Sequence, residues 1–185
     1  MTDVVSAKRR NTNALFAASL LFFPAASSEA QAQTAGWPDT IDLLAQERSQ
    51  AEACVALMKD SADPPTIAEA RIAYNAAKAA ADGAIAGLTI ALVQGYKPEN
   101  LPRVQANLER AGTGLQEVCD AAAKAARSAA GARGPVDQIV TAAVAPAIDA
   151  LKSATAALWS RHVENDKVEQ EAIKTQLESA KWPDF

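Results

Sequence analysis

Apolar residues recur every three or four positions along almost the whole chain from residue 39 onward. This is the period of α-helices that bury one side. No stretch alternates apolar and polar residues over the length of a strand, and β-branched residues are sparse. The pattern therefore predicts an all-α fold. Alanine supplies 45 of the 185 residues and much of each apolar side, so the helices are expected to pack closely.

Prolines and cap residues predict where the first two helices begin. Asp39 follows Trp37-Pro38 and is expected to be the N-cap of helix 1. Thr66 and Glu69 fit a capping box, in which each side chain accepts a hydrogen bond from the backbone N–H of the other residue. Helix 2 is therefore predicted to open at Thr66, and the preceding Asp63-Pro64-Pro65 is expected to break the chain.

Glycines and prolines also bound the next two helices. Gly95 is expected to end helix 2, because a left-handed backbone costs glycine little. Asn100 is the expected cap of helix 3, which is predicted to end near Ala130. Helix 4 is predicted to begin at Pro135 and to kink at Pro146, which has no backbone N–H to donate.

Four amphipathic helices with short connections predict an up-down-up-down four-helix bundle over residues 33–160. A stack of three or four helical-hairpin repeats is the alternative. Beyond this domain the apolar pattern weakens, so residues 161–185 are predicted to form a charged, peripheral helical extension, either extended or folded back. If a partner docks on that segment, Ile173, Leu177 and Trp182 are the candidate contact residues.

Residues 1–32 have the three parts of a secretory signal peptide. The basic residues Lys8 to Arg10 precede an apolar stretch of about 13 residues, and Ala30-Gln31-Ala32 supplies a cleavage pattern. The apolar stretch is shorter than the ~20 residues of a spanning helix, which favours cleavage over an uncleaved anchor. Cleavage removes three of 18 bases and two of 22 acids, so the mature net charge is 15 − 20 = −5. We expect a periplasmic or secreted protein without a further membrane span, and the acidic balance disfavours nucleic acid as its partner.

Cys54 and Cys119 are the two cysteines of the chain and are predicted to form a disulfide. Export to an oxidising compartment permits the bond. In the predicted bundle the two residues differ in height by about 4.5 Å, which helix tilt can absorb. The alternative is a pair of buried free thiols in neighbouring helices.

His162 is the single histidine of the chain, and this scarcity excludes most metal centres and nucleophilic catalysis. Asp166 follows it at a spacing that can hold a metal with two ligands, but the charged neighbours favour a solvated stretch. Met58 and His162 would lie roughly 40 Å apart, too far to share a haem iron. No catalytic triad or phosphate-binding glycine loop is evident. The sequence therefore predicts no enzyme activity, no cofactor and no metal.

Three aromatic residues form the first candidate binding group. Trp37 precedes helix 1, Tyr96 lies between helices 2 and 3, and Trp159 lies far along helix 4. Counting 1.5 Å per residue brings all three to one end of the bundle. There they are expected to seal the core, with an aromatic binding patch as the alternative.

Three glycines form the second candidate group. Glycine in a helix costs about 1 kcal/mol relative to alanine, so Gly83, Gly87 and Gly112 invite a structural reason. Reflection through a turn centred near residue 97 predicts that Gly112 lies beside Gly83 and that Gly87 lies close to Ala106. This waist of glycine and alanine is expected to permit close helix approach, and the alternative is a void, a hinge or a small apolar ligand cavity.

These observations together predict an exported, non-catalytic helical bundle that binds a partner protein or a small apolar ligand. The alternative is a periplasmic bundle associated with a metal or cofactor, which would use His162 and nearby carboxylates.

Overall fold

The computed structural model of the protein describes residues 36–129, 144–161 and 166–185. All regular structure in these ranges is helical, which confirms the predicted all-α class. Three predictions fall outside these ranges: the signal peptide, the start of helix 4 at Pro135, and the role of His162. The predicted kink at Pro146 also stays untested, because the backbone carbonyl it would leave unpaired, that of residue 142, lies outside them. The five α-helices of the described ranges are α1 (Trp37–Ser61), α2 (Pro64–Gln94), α3 (Leu101–Ala129), α4 (Val144–Arg161) and α5 (Lys167–Ser179), and a 3-10 turn, Pro98–Asn100, leads into α3.

The first two helices begin earlier than the cap patterns predict, because prolines occupy their first turns. Gly36 is the N-cap of α1, and the carboxylate of Asp39 accepts the N–H of Gly36 at 3.0 Å from within the first turn. α2 begins at Pro64 with Asp63 as its N-cap, so the predicted capping box at 66–69 is wrong. A helix leaves its first N–H groups unpaired, and proline therefore suits these positions.

α2 and α3 form the most extensive helix pair of the fold. Gly95 ends α2 with a φ of +92°, as its position in the sequence predicts. Val104 lies against Gly87, and Ala77 lies against Gly114, so residue numbers rise along one helix as they fall along the other. The two helices are therefore antiparallel along their contact.

α3 is the central helix, because it packs against α1, α2 and α4. A disulfide between Cys54 and Cys119 joins α1 to α3 with 5.0 Å between the two Cα atoms, which confirms the predicted bond. Both cysteines are fully buried. The disulfide therefore lies inside the apolar core.

The segment after α4 belongs to the core. Along their described lengths the backbones of α1 and α2 barely approach each other, whereas α5 contacts both. Leu177 is fully buried, and Ile173 and Trp182 are only 9% and 3% exposed. The prediction that this segment is peripheral is therefore wrong. α5 folds back onto α1 and α2, and its few apolar side chains cover the apolar surface left open between those two helices.

Candidate functional site

The three predicted aromatic residues meet at one end of the fold, as expected. The ring centroids of Trp37 and Tyr96 are 6.5 Å apart, and those of Tyr96 and Trp159 are 5.4 Å apart. The indole N–H of Trp37 donates to the Tyr96 hydroxyl, and that of Trp159 donates to the Lys97 carbonyl, each at 2.9 Å. Both indoles are 5% exposed, and burial raises the pKa of Tyr96. This geometry suits a seal over the core. A binding role for the three residues stays a prediction.

The three predicted glycines do not form one waist. Gly83 and Gly87 face α3, but Gly112 faces α4, where Ile148 occupies the space that a Cβ would take. The contacts between α2 and α3 are displaced from the predicted register by about one helical turn, which moves Gly112 away from Gly83. Close helix approach is therefore the role of Gly87 and Gly112, and the side chain of Ile148 fills the predicted cavity position at Gly112.

An open groove of about 800 Å³ follows the outside of the α2–α3 pair. Its α2 wall consists of alanine side chains, and its α3 wall adds polar groups. This groove lies on the outside of the helix pair, whereas the sequence predicts an internal ligand cavity. The lining includes Ala73, Ala76 and Ala80 of α2 together with Ala106, Asn107 and Arg110 of α3.

The outer side of α2 beside this groove carries an apolar row, and the Asn107 side chain of α3 lies against its middle residue, Gly83. We call this row the α2 seam. Its positions are separated alternately by four and three residues, the spacing at which one helix meets another. Ile72, Ile90 and Val93 are 73%, 45% and 60% exposed. The α2 seam consists of Ile72, Ala76, Ala79, Gly83, Ala86, Ile90 and Val93.

The α2 seam makes α2 apolar on two sides. Within the described ranges α2 is the one helix long and apolar enough to cross a membrane by length and composition, with a window of mean hydropathy 1.5 of which 39% is buried. A helix that borders water normally carries polar side chains on that side. α3 follows this rule, since Arg103, Glu109 and Arg110 are exposed on it. α2 also exposes polar residues, among them Arg71, Asn75 and Gln94, but the α2 seam runs through its polar surface as an apolar row.

Glu47 is a second feature that the sequence pattern does not predict. It lies on α1 between the core residues Leu44 and Ala51 and is 1% exposed. Neither carboxylate oxygen accepts a hydrogen bond from any residue in the described ranges. Burial therefore raises the pKa of Glu47 from 4.5 to about 8, so that the side chain is mainly protonated at neutral pH.

No group of three or more His, Cys, Asp or Glu side chains in the described ranges is arranged to hold a metal ion. No protein-family model matches the chain, and comparisons with curated proteins and with solved structures find no similar protein. Of the four large hydrophobic side chains that are exposed in the described ranges, three belong to the α2 seam.

Proposed function

We propose that the protein is an exported, non-catalytic interaction protein that binds a helical segment of a partner protein on the α2 seam. The observation that carries this proposal is the row of exposed aliphatic side chains at helix-packing spacing. A partner that covers Ile72, Ile90 and Val93 would remove their apolar surface from water, which stabilises the complex by about 25 cal/mol per Å² of buried area. A helix is the partner element whose side chains match that spacing.

We propose further that α1 to α4 form an up-down-up-down four-helix bundle, with α5 covering the side where α1 and α2 diverge. Two contacts between α3 and α4 support an antiparallel arrangement of that pair. Ile148 lies at Gly112, and the amine of Lys152 lies 3.4 Å from the carboxylate of Glu109, so residue numbers again run in opposite directions. This bundle holds α2 with one side in the core and the α2 seam outward.

Export is the third part of the proposal. The signal-peptide pattern of residues 1–32 and the Cys54–Cys119 disulfide both support it, since disulfides persist in oxidising compartments. Either the periplasm or the extracellular space meets this condition.

A helical partner fits the surface better than a small apolar ligand does. Small-molecule sites typically enclose 70–90% of their ligand, and this groove is open along its length. The exposed charges of Glu109 and Arg110 on its α3 wall would meet an apolar ligand unfavourably, whereas a helix can present polar side chains to them.

Site-specific photo-cross-linking in the native cells tests the proposal. A photoreactive amino acid at Ala79 or at Ala86 is expected to form covalent protein adducts, because both positions are exposed within the α2 seam. The matched control is the same amino acid at Val168, an apolar residue on α5 that is 80% exposed. Equal labelling at Val168, or adducts with lipid alone, would contradict the proposal.

A further inference from the structure

We infer that the occupant of the α2 seam is a second copy of this chain, whose own α2 lies antiparallel to the first about a two-fold axis beside Gly83. This inference rests on the proposed function and names its partner. A two-fold contact joins the same patch on both copies, so the patch must complement itself. The order of residues along the α2 seam meets this condition.

Gly83 is the middle position of the seven in the α2 seam. Antiparallel pairing about it brings each seam position opposite the one equally far on the other side of the centre. Ala79 therefore lies opposite Ala86 of the second copy, and Ile72 lies opposite Val93 of the second copy. Small side chains meet small ones near the axis, and aliphatic side chains meet at both ends.

This order of sizes fits two helices that cross at an angle. At the crossing point the two helix axes are about 8 Å apart. Each end of the α2 seam lies roughly 16 Å along the helix from that point, and there the axes are about 10 Å apart. Gly83 occupies the centre, with the Asn107 side chain of α3 beside it. Alanine follows on both sides, and Ile72 and Val93 lie at the ends. The larger side chains are thus placed where the diverging helices leave more space to fill.

Charges at the two ends of the α2 seam distinguish antiparallel from parallel pairing. Glu69 lies on α2 three residues before Ile72, and Lys97 lies four residues after Val93, just past Gly95, where α2 ends. Both charged residues are exposed. Antiparallel pairing brings Glu69 near Lys97 of the second copy, and the two-fold axis repeats this pair at the other end. Parallel pairing would bring like charges together, so the charges select the antiparallel dimer.

The available area suits a reversible dimer. The α2 seam spans 22 residues, from Ile72 to Val93, or about 33 Å of helix. Together with the adjoining row of α3 the face is about 20 Å wide, or roughly 650 Å² on each copy. A stable interface of standard size uses about 800 Å² on each partner, so this one lies slightly below that size.

The charges beside the α2 seam favour a protein partner over a membrane. Helices that lie on anionic membranes carry lysine and arginine along their polar flanks. Here Asp82 flanks the centre of the seam, and Lys78, the nearest base on that flank, is paired with it at 3.1 Å. On the α3 flank the bases Arg103 and Arg110 are interspersed with the acids Glu109 and Glu117, so no purely basic row accompanies the apolar one.

Sedimentation equilibrium of the protein with its disulfide intact tests the inference. The wild-type protein is expected to show a reversible monomer–dimer equilibrium. Ile90→Glu, at a 45% exposed position, should raise the dimer dissociation constant at least ~10-fold, because it buries a charge in the contact. The matched control Val168→Glu adds the same charge outside the α2 seam and should leave the constant unchanged.

A charge swap tests the antiparallel orientation. Glu69→Lys alone and Lys97→Glu alone should each raise the dissociation constant roughly two- to fivefold, since each places like charges together at both ends. The combined variant restores opposite charges and should return to the wild-type value. All three changes lie at exposed positions, so they keep the test valid even if Ile90→Glu impairs folding.

Three outcomes would overturn the second copy as the occupant. One is a monomer at every concentration, and another is an equal effect of Ile90→Glu and Val168→Glu. The third is a monomer that sediments with phosphatidylcholine vesicles and loses this property in Ile90→Glu. A monomer that still forms adducts with a different protein at Ala79 would leave the proposed function standing, so the two failures are distinguishable.

Discussion

The hydroxyl of Tyr74 donates a hydrogen bond to the carbonyl oxygen of Pro183, 2.8 Å away, and this bond ties α2 to the segment that follows α5. The Tyr74 ring also contacts Trp182 and Phe185, with ring centroids 5.7 and 5.5 Å apart. Burial, with smaller contributions from nearby carboxylates, raises the pKa of Tyr74 to about 12, so the hydroxyl keeps its proton throughout the physiological range. This aromatic cluster holds in place the segment that covers the space between α1 and α2.

Replacing Trp182 tests that anchoring role. Trp182 is 3% exposed and belongs to the cluster that includes Tyr74 and the disulfide cysteines. We expect Trp182→Ala to lower the free energy of unfolding in urea by about 3–5 kcal/mol, because it leaves a cavity where a large aromatic side chain was buried. Lys181→Ala is the control, since it removes only a surface ion pair with Glu178 and should change stability by less than about 1 kcal/mol. Similar losses in the two variants would show that the segment is not part of the core.

Periodicity predicts the core sides of these helices well and the role of α5 poorly. Tyr74, Ile85 and Leu88 recur at helical spacing and are all buried as expected. The last segment has few large apolar residues that become buried, chiefly Ile173, Leu177 and Trp182, so its apolar periodicity is weak. Their burial depends on the surface that α1 and α2 leave uncovered, and the apolar pattern within α5 carries no information about that surface.

Alanine explains why the α2 seam was missed. The core side of α2 includes Ala77 and Ala81, while the α2 seam includes Ala76 and Ala79, so both rows are apolar in the sequence. Only the exposure of each side chain distinguishes them. Glu47 was missed for the opposite reason, because a charged residue predicts a solvated position even where helical spacing places it on the buried side.

A double-mutant cycle tests the contact between Gly112 and Ile148. An alanine Cβ at position 112 would overlap the Ile148 side chain, so Gly112→Ala should lower the free energy of unfolding by about 1–3 kcal/mol despite the better helix propensity of alanine. Ile148→Ala alone should cost about 2–5 kcal/mol. The double variant removes the overlap and should cost less than the sum of the two. Additive losses would show that the glycine is not required by Ile148.

The disulfide between α1 and α3 offers a further test. Cys54 and Cys119 are separated by 65 positions, and closing a loop of this length stabilises the fold by about 4 kcal/mol in the chain-entropy model. We expect the Cys54→Ser, Cys119→Ser double variant to lose stability of that order in urea denaturation. Wild-type protein unfolded without reductant should show no titratable thiol, and reduced wild type should match the variant. Two titratable thiols, or unchanged stability, would contradict a structural role for the bond.

Glu47 predicts how stability depends on pH. The pKa is about 8 in the folded protein and 4.5 for a free glutamate, so between these values the folded protein holds a proton that the unfolded chain has released. Stability should therefore fall as pH rises from 4.5 toward 8, by up to about 1.4 kcal/mol per pH unit, and level off above that. Urea denaturation at several pH values across this interval should show the slope in wild type and its loss in Glu47→Gln. Glu52→Gln, at an exposed position on the same helix, is the control and should keep the slope. A difference between wild type and Glu47→Gln that stays constant with pH would mean that Glu47 is ionised, or paired, in the folded protein.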